Sequence, residues 1–457
     1  MDRITRLIHP TPHQPRMMGQ LAGLLLLGFV LSFIFIATRN SVVTAQSAEW
    51  RDRSQWQETR EEIHERSKRL ESKPVNRLIT NLQSEDWLIR AASVRALSEK
   101  NSNQARDALV SAAETDSHPW VRREATWALT KYAETGVTKV IAGIAHNDEP
   151  LVASAAVRAL GVLKDEDSAA AIEGFLSHGD ALMREAAVWS VGVKGDKAAA
   201  VSIMPMLADQ DSQVREATAR SLGWMGAEEA VPVLVEALAD VDPEVRENVA
   251  RSLGIIGDSR AADALSGMLA DEDPEVREAA VRSLGIIGKG VSAEALVPAL
   301  ADDDAEIREN AARSLGLVGD EAGVEPLIQA LADEDRQVRE NAARSLGFLP
   351  DPMAVEPLTL ALEDEDQQVR ENAARSLGFI GDPAAVDSLI LALEDQDEQV
   401  RENAARSLGF IGDTSAIPAL ELALSDENED VRGAAEKALM LLRHRGPHSN
   451  RMKFKFQ

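Results

Sequence analysis

A phrase close to VRENAARSLGFIGD returns at one fixed spacing through most of this chain, and that spacing constrains the fold more than any composition. Its first arginine falls at Arg184, Arg215, Arg246, Arg277, Arg308, Arg339, Arg370, Arg401 and Arg432, each 31 residues after the last. Looser copies begin at Arg90 and Arg122, and a further copy has Ala153 where the arginine belongs. About twelve copies fill residues 74–442. A period of this length means one supersecondary unit repeated, each unable to bury its apolar face alone, so that stacking builds one core step by step. The repeat therefore overrides the roughly three domains that length alone suggests.

Within a copy, the punctuation predicts two helices. Gly381 ends one helix and Asp382-Pro383 starts the next. The span 384–393 presents Val386, Leu389, Ile390 and Leu393 at helical spacing, and the polar run 394–397 makes a turn. Asp397 is placed to cap the second helix, as are Asp211, Asp242, Asp273, Asp304, Asp335 and Asp366 in their copies. At about 100° per residue, Val338, Ala342, Ala343, Leu346 and Leu349 share one face of that helix, which predicts a core. Arg339 lies at the edge of this face, four residues after Asp335, and the recurrence of both predicts a ladder of Asp–Arg pairs between repeats. Ser345 and Gly347 mark a close approach of helices, because a glycine inside a helix costs ~1 kcal/mol that packing must offset. Aromatics are only 4% of the chain, which suits such closely spaced helices.

Charge and composition exclude several functions. The net charge of −27 argues against a grip on nucleic acid phosphates. Without cysteine there are no disulfides, thiolate metal sites or cysteine nucleophiles. The chain carries no P-loop, dinucleotide fingerprint, GxSxG or HExxH pair, so no catalytic, cofactor or metal residue is assigned. Acidic turns such as 271–273 and 302–304 lack the glycine and distal glutamate of a calcium loop, and read as caps.

The amino-terminal end differs. Residues 21–37 hold no charge and follow a tail, 1–20, that contains Arg3, Arg6 and Arg16. The favoured expectation is an uncleaved membrane anchor with the repeats exported, and the alternative is a signal peptide cleaved near Val43-Thr44-Ala45. Residues 38–73 read as a linker and a charged helix with a thin stripe of Trp50, Trp56, Ile63 and Leu70, a spacer or a cap on the first repeat. At the other end Glu436 and Lys437 replace the interior Ala and Arg, as an uncovered terminal unit requires, and 443–457 form a basic tail.

Candidate binding residues lie opposite the core face of the second helix. Asn341, Arg344 and Phe348 recur as Asn372, Arg375 and Phe379, as Asn403, Arg406 and Phe410, and earlier as Asn310 and Arg313 with Leu317. Rows of asparagine would hold a peptide backbone, and arginine beside an aromatic ring would take a carboxylate and an apolar anchor. The alternative for Glu340 and Arg344 is mutual pairing on a solvated face. Toward the amino terminus Trp127 and Trp189 occupy the arginine position with Arg158 between them, and Trp224 stands in the phenylalanine position, which proposes an aromatic patch or local packing. Trp87 and Trp120, at helix starts, read as packing residues.

DPEVRENVARSLGIIGD, residues 242–258, closely resembles the second helix of the HEAT-like repeats of phycobilisome lyase-type proteins and of artificial alpha-helical repeat scaffolds. The resemblance implies an all-α, right-handed α-solenoid of about twelve helix pairs after one hydrophobic helix, with second helices lining a concave surface. It also implies recognition of a protein or peptide partner. The expected function is a non-catalytic, membrane-anchored or exported scaffold without cofactors. The alternatives are a bilin lyase-like or chaperone-lyase activity, implied by family alone, and a structural spacer.

Overall fold

An aspartate opens each regular second helix and a left-handed glycine closes most of them. Asp242, Asp273, Asp304, Asp335, Asp366 and Asp397 each accept the backbone N–H two residues on. Gly226, Gly257, Gly319, Gly381 and Gly412 then turn the chain at positive φ. Pro350 stands at the equivalent place after Phe348, and that helix ends one residue sooner.

The computed structural model describes residues 53–444, and the described residues are helical throughout, without strands. They divide into two compact units, with the boundary between Ala171 and Ile172. The segment 21–37, Trp50 and the tail beyond His444 lie outside the described residues. Among the described residues no helix is long and apolar enough to cross a membrane.

In the first unit a charged helix, Arg53–Lys68, packs on the second helix of the first repeat, Trp87–Ser98. Ile63 of its stripe is fully buried there, so this helix caps the stack. Second helices Pro119–Leu129 and Pro150–Val162 follow, each packed on the one before. Trp87 stacks flat on His118 at 4.1 Å, and buried Trp120 carries the Arg123 guanidinium 5.0 Å from its ring centre. Both tryptophans are packing residues, as their positions predict.

The second unit stacks second helices from Ala181–Lys194 to Glu429–His444, so the last helix extends into the start of the expected tail. Its first helices are shorter than the pattern suggests. The expected helix at 384–393 is a 3-10 turn, Pro383–Ala385, followed by Val386–Ala392. Leu389 is fully buried and Val386 nearly so, which fixes the face turned to the core.

Candidate functional site

Two devices set the spacing of the second helices in this unit. The first is a contact between glycine and serine. A Cβ built on Gly316 would lie 2.5 Å from Ser345 Oγ and 3.1 Å from its Cα, and Gly223, Gly254, Gly285 and Gly378 meet Ser252, Ser283, Ser314 and Ser407 in the same way. Serine hydroxyls cross the seam, with Ser283 donating to Ala250 O at 2.8 Å and Ser376 to Ala343 O at 2.7 Å. Only glycine permits that approach.

The second device is the Arg–Asp ladder. Arg339 donates from Nε and Nη2 to Asp364 Oδ2 and Oδ1 at 2.8 and 3.1 Å, and from Nη1 to Asp333 O at 3.0 Å. The ladder was legible, but the partner is not the capping Asp335, whose carboxylate is held by the N–H groups of Gln337 and Val338. The partner is the turn aspartate two residues before the next cap. In the second unit, from Asp209 to Asp426, each such aspartate serves two arginines. Asp364 takes Arg339 on its carboxylate and Arg370 on its backbone oxygen at 2.9 Å. The same pairing runs from Arg184–Asp209 to Arg401–Asp426, and in the first unit Arg90–Asp116 and Arg122–Asp148 repeat it. These contacts occupy the acidic turns with structural bonds.

Burial raises the carboxyls of Asp209, Asp240, Asp271, Asp302 and Asp333, yet hydrogen bonds from the ladder arginine and a turn N–H, with the arginine charge, outweigh it and leave each below its ordinary value. At Asp426 the Arg401 hydrogen bonds are the leading cause of the same lowering. A group whose folded pKa is depressed contributes stability above its unfolded value and loses it as pH falls through the folded one. The second unit is therefore expected to hold its stability down to about pH 4 and lose it below. Denaturant midpoints measured across that range check this, and an unchanged midpoint well below pH 4 would contradict it.

Close packing of the second helices overturns one part of the sequence reading. Asn310, Asn341, Asn372 and Asn403 are only 2–5% exposed. Their amides donate to the carbonyl one turn back, at 2.8–2.9 Å. Asn310 also reaches Glu278 of the preceding repeat at 3.2 Å, and Asn341 reaches Glu309 at 3.4 Å. A single helical wheel offers a core side and an outer side. Stacking adds two flanks, and the asparagines lie on a flank, so they are not available to a peptide backbone.

What remains outward is ordered in two rows. Arg220, Arg251, Arg282, Arg313, Arg344, Arg375 and Arg406 pair with the glutamate four residues earlier, at 2.9 Å for Arg220–Glu216 and 2.5 Å for Arg344–Glu340. Each arginine stays between about two fifths and one half exposed, while its glutamate is largely covered. Burial raises the Glu247 and Glu278 carboxyls above the ordinary range. One turn beyond the arginines stands an apolar row: Trp224, Ile255, Ile286, Leu317, Phe348, Phe379 and Phe410, from 50% exposed at Phe379 to 63% at Ile286. Val193 and Leu441 extend it at either end at 39% and 42%. The Phe379 ring leans over the preceding helix, 3.3 Å from a Cβ built on Gly347, the residue before Phe348. Ile255 and Ile286 escaped the sequence reading, which looked for aromatic rings; the register itself identifies them.

Trp224 thus joins the apolar row. Trp189 is half-buried in the same unit, one repeat earlier in the arginine register. Trp127 and Arg158 are half-buried in the first unit.

This architecture, helix pairs in register with a second-helix face of repeated rows, defines the helical-repeat class of proteins. The chain belongs to the HEAT-repeat family, whose repeats match residues 75–150, 200–285, 241–309, 293–360 and 355–440. Among solved structures it is similar to importin beta, with a TM-score of 0.58 at 14% identity over 86% of this chain and 66% of that one. It is similar to Kap95p from the structure describing its binding to RanGDP, at a TM-score of 0.55 and 14% identity over 80% and 60%. Kap121p bound to Nup53p matches at 0.53 and 13% identity over 80% and 49%. This chain spans about half to two thirds of their lengths, and at these identities the likeness defines the fold alone. No curated protein matches. The resemblance to lyase-type proteins rests on the repeat motif, and no residue set outside that motif points to bilin attachment.

Proposed function

We propose that this chain is a non-catalytic scaffold that binds a protein or peptide partner along the second-helix face of its second unit. The observation that carries this is the apolar row, exposed at every repeat and bordered by a row of arginines. Nine exposed apolar side chains recur at one register of successive helices, and exposed apolar surface of that kind marks an interaction site. Phenylalanine and tryptophan beside arginine are the residue types in which binding energy concentrates. Second helices pack directly on one another, whereas first helices meet their neighbours chiefly through 3-10 turns. The layer that packs tighter lies on the inner side of a stack, which supports a concave docking face. Two of the similar proteins have protein partners, RanGDP for Kap95p and Nup53p for Kap121p. Residues 21–37 would hold the scaffold at a membrane with its repeats exported, or direct its export if cleaved.

The test replaces Phe348, Phe379 and Phe410 together with serine in the full chain. Crosslinking in the native membrane fraction identifies the partner, and its affinity for the purified variant is then measured. With helical content unchanged, affinity is expected to fall by about 100-fold or more, as loss of several anchors requires. An unchanged affinity ends this reading. Charge reversal of Arg344, Arg375 and Arg406 without any loss of partner would favour a spacer instead.

A further inference from the structure

The first helices carry an apolar row of their own, confined to the last three repeats. Leu360, Leu391 and Leu422 are 68%, 71% and 78% exposed, more than any member of the second-helix row. Their register is not apolar farther back, where Gln329, Pro298 and Gly267 stand at the same position. Carboxylates border the row. Glu356 lies one turn before Leu360 and Glu363 one turn after it, and Asp387 and Glu394 bracket Leu391 likewise. All four are exposed, and among the described residues none has an ion-pair partner. Glu421, beside Leu422, is held by Arg443 at 2.7 Å. That arginine is the next-to-last residue of the final helix, which ends at His444.

We propose that this leucine row is covered by the chain's own carboxy-terminal segment, residues 445–457. That segment complements the row in charge and in pattern. It contains Arg445, Arg451, Lys453 and Lys455 and no acidic residue. Met452-Lys453-Phe454-Lys455-Phe456 alternates, so an extended chain sets Met452, Phe454 and Phe456 on one side and the lysines on the other, with stems long enough to bring their charges back to the carboxylates at the edges of the row. Reach is sufficient. The segment starts beside the helix pair that bears Leu422, and thirteen residues extend to about 43 Å, against about 20 Å across three stacked helices. The Arg443–Glu421 pair ties the end of the final helix to the residue beside Leu422. The inference is independent of the second-helix face.

The experiment uses the full chain with Phe454 replaced by the photo-crosslinker p-benzoylphenylalanine, mixing isotopically labelled and unlabelled molecules. Crosslinks are expected within one molecule, onto peptides carrying Leu360, Leu391 or Leu422. Leu391→Glu with Leu422→Glu should lower their yield at least 10-fold without changing helical content, since both side chains are exposed. Lys453→Glu with Lys455→Glu should do the same, and adding Glu363→Lys with Glu394→Lys should restore it. Crosslinks only between molecules, only onto second helices, or absent altogether would overturn the proposal. So would a yield indifferent to all four changes.

Discussion

Changing Arg308 to alanine is expected to destabilise the second unit by about 3 kcal/mol, at the lower end of the range for breaking a buried ion pair. The guanidinium holds Asp333 at 2.9 and 3.0 Å and the carbonyls of Asp302 and Asp303 at 2.9 and 3.2 Å. Both side chains are mostly covered, 9% and 13% exposed, so removal strands a carboxylate that keeps only the N–H of Asp335 at 2.8 Å. Asp333→Ala in the same background should then cost much less than it does alone, because the two changes share one interaction. Urea unfolding of the four proteins in this cycle measures the coupling. Coupling below about 0.5 kcal/mol would show that the ladder contributes nothing cooperative. The transition of the single variant should also broaden, since each repeat draws its stability from its neighbours.

The second large effect is expected at Gly316. Alanine in place of a mid-helix glycine ordinarily gains ~1 kcal/mol. Here the added carbon meets Ser345 Oγ at 2.5 Å, Cβ at 2.7 Å and Cα at 3.1 Å, so no side-chain rotation relieves it. Gly316→Ala is expected to cost about 2 kcal/mol net, as overpacking does. Pairing it with Ser345→Gly should recover most of that loss by removing the nearest atoms. If Gly316→Ala alone raises the thermal midpoint, the helices do not approach as closely as described.

Why these two sites were legible in the sequence, while others were not, follows from what a period can reveal. The arginines, the capping aspartates and the Gly–Ser approach recur at fixed offsets, and each belongs to a known local device. So the helix pairs, their caps and the existence of a ladder could be read directly. The identity of the ladder's aspartate could not, because Asp335 and Asp364 are equally regular and only the fold shows which one faces Arg339. The asparagines misled for a geometric reason. Asn341 looks outward on an isolated helix but is covered against the preceding one in the stack. Leu360, Leu391 and Leu422 also recur at the period, but a leucine on a short first helix reads as core, and only the fold shows that these three face outward.

The double duty of each turn aspartate has a consequence for size. From Asp209 to Asp426 every joint presents the same carboxylate to the arginine behind and the same carbonyl to the arginine ahead, as at Asp333, Asp364 and Asp395. Excising one whole 31-residue period between equivalent points would rejoin ends that already fit, with no stranded charge and no unfamiliar seam. Removal of a number of residues that is not a multiple of 31 would leave an arginine facing the wrong turn. The length of such a molecule is therefore quantised, and its reach can be changed without redesigning a single junction.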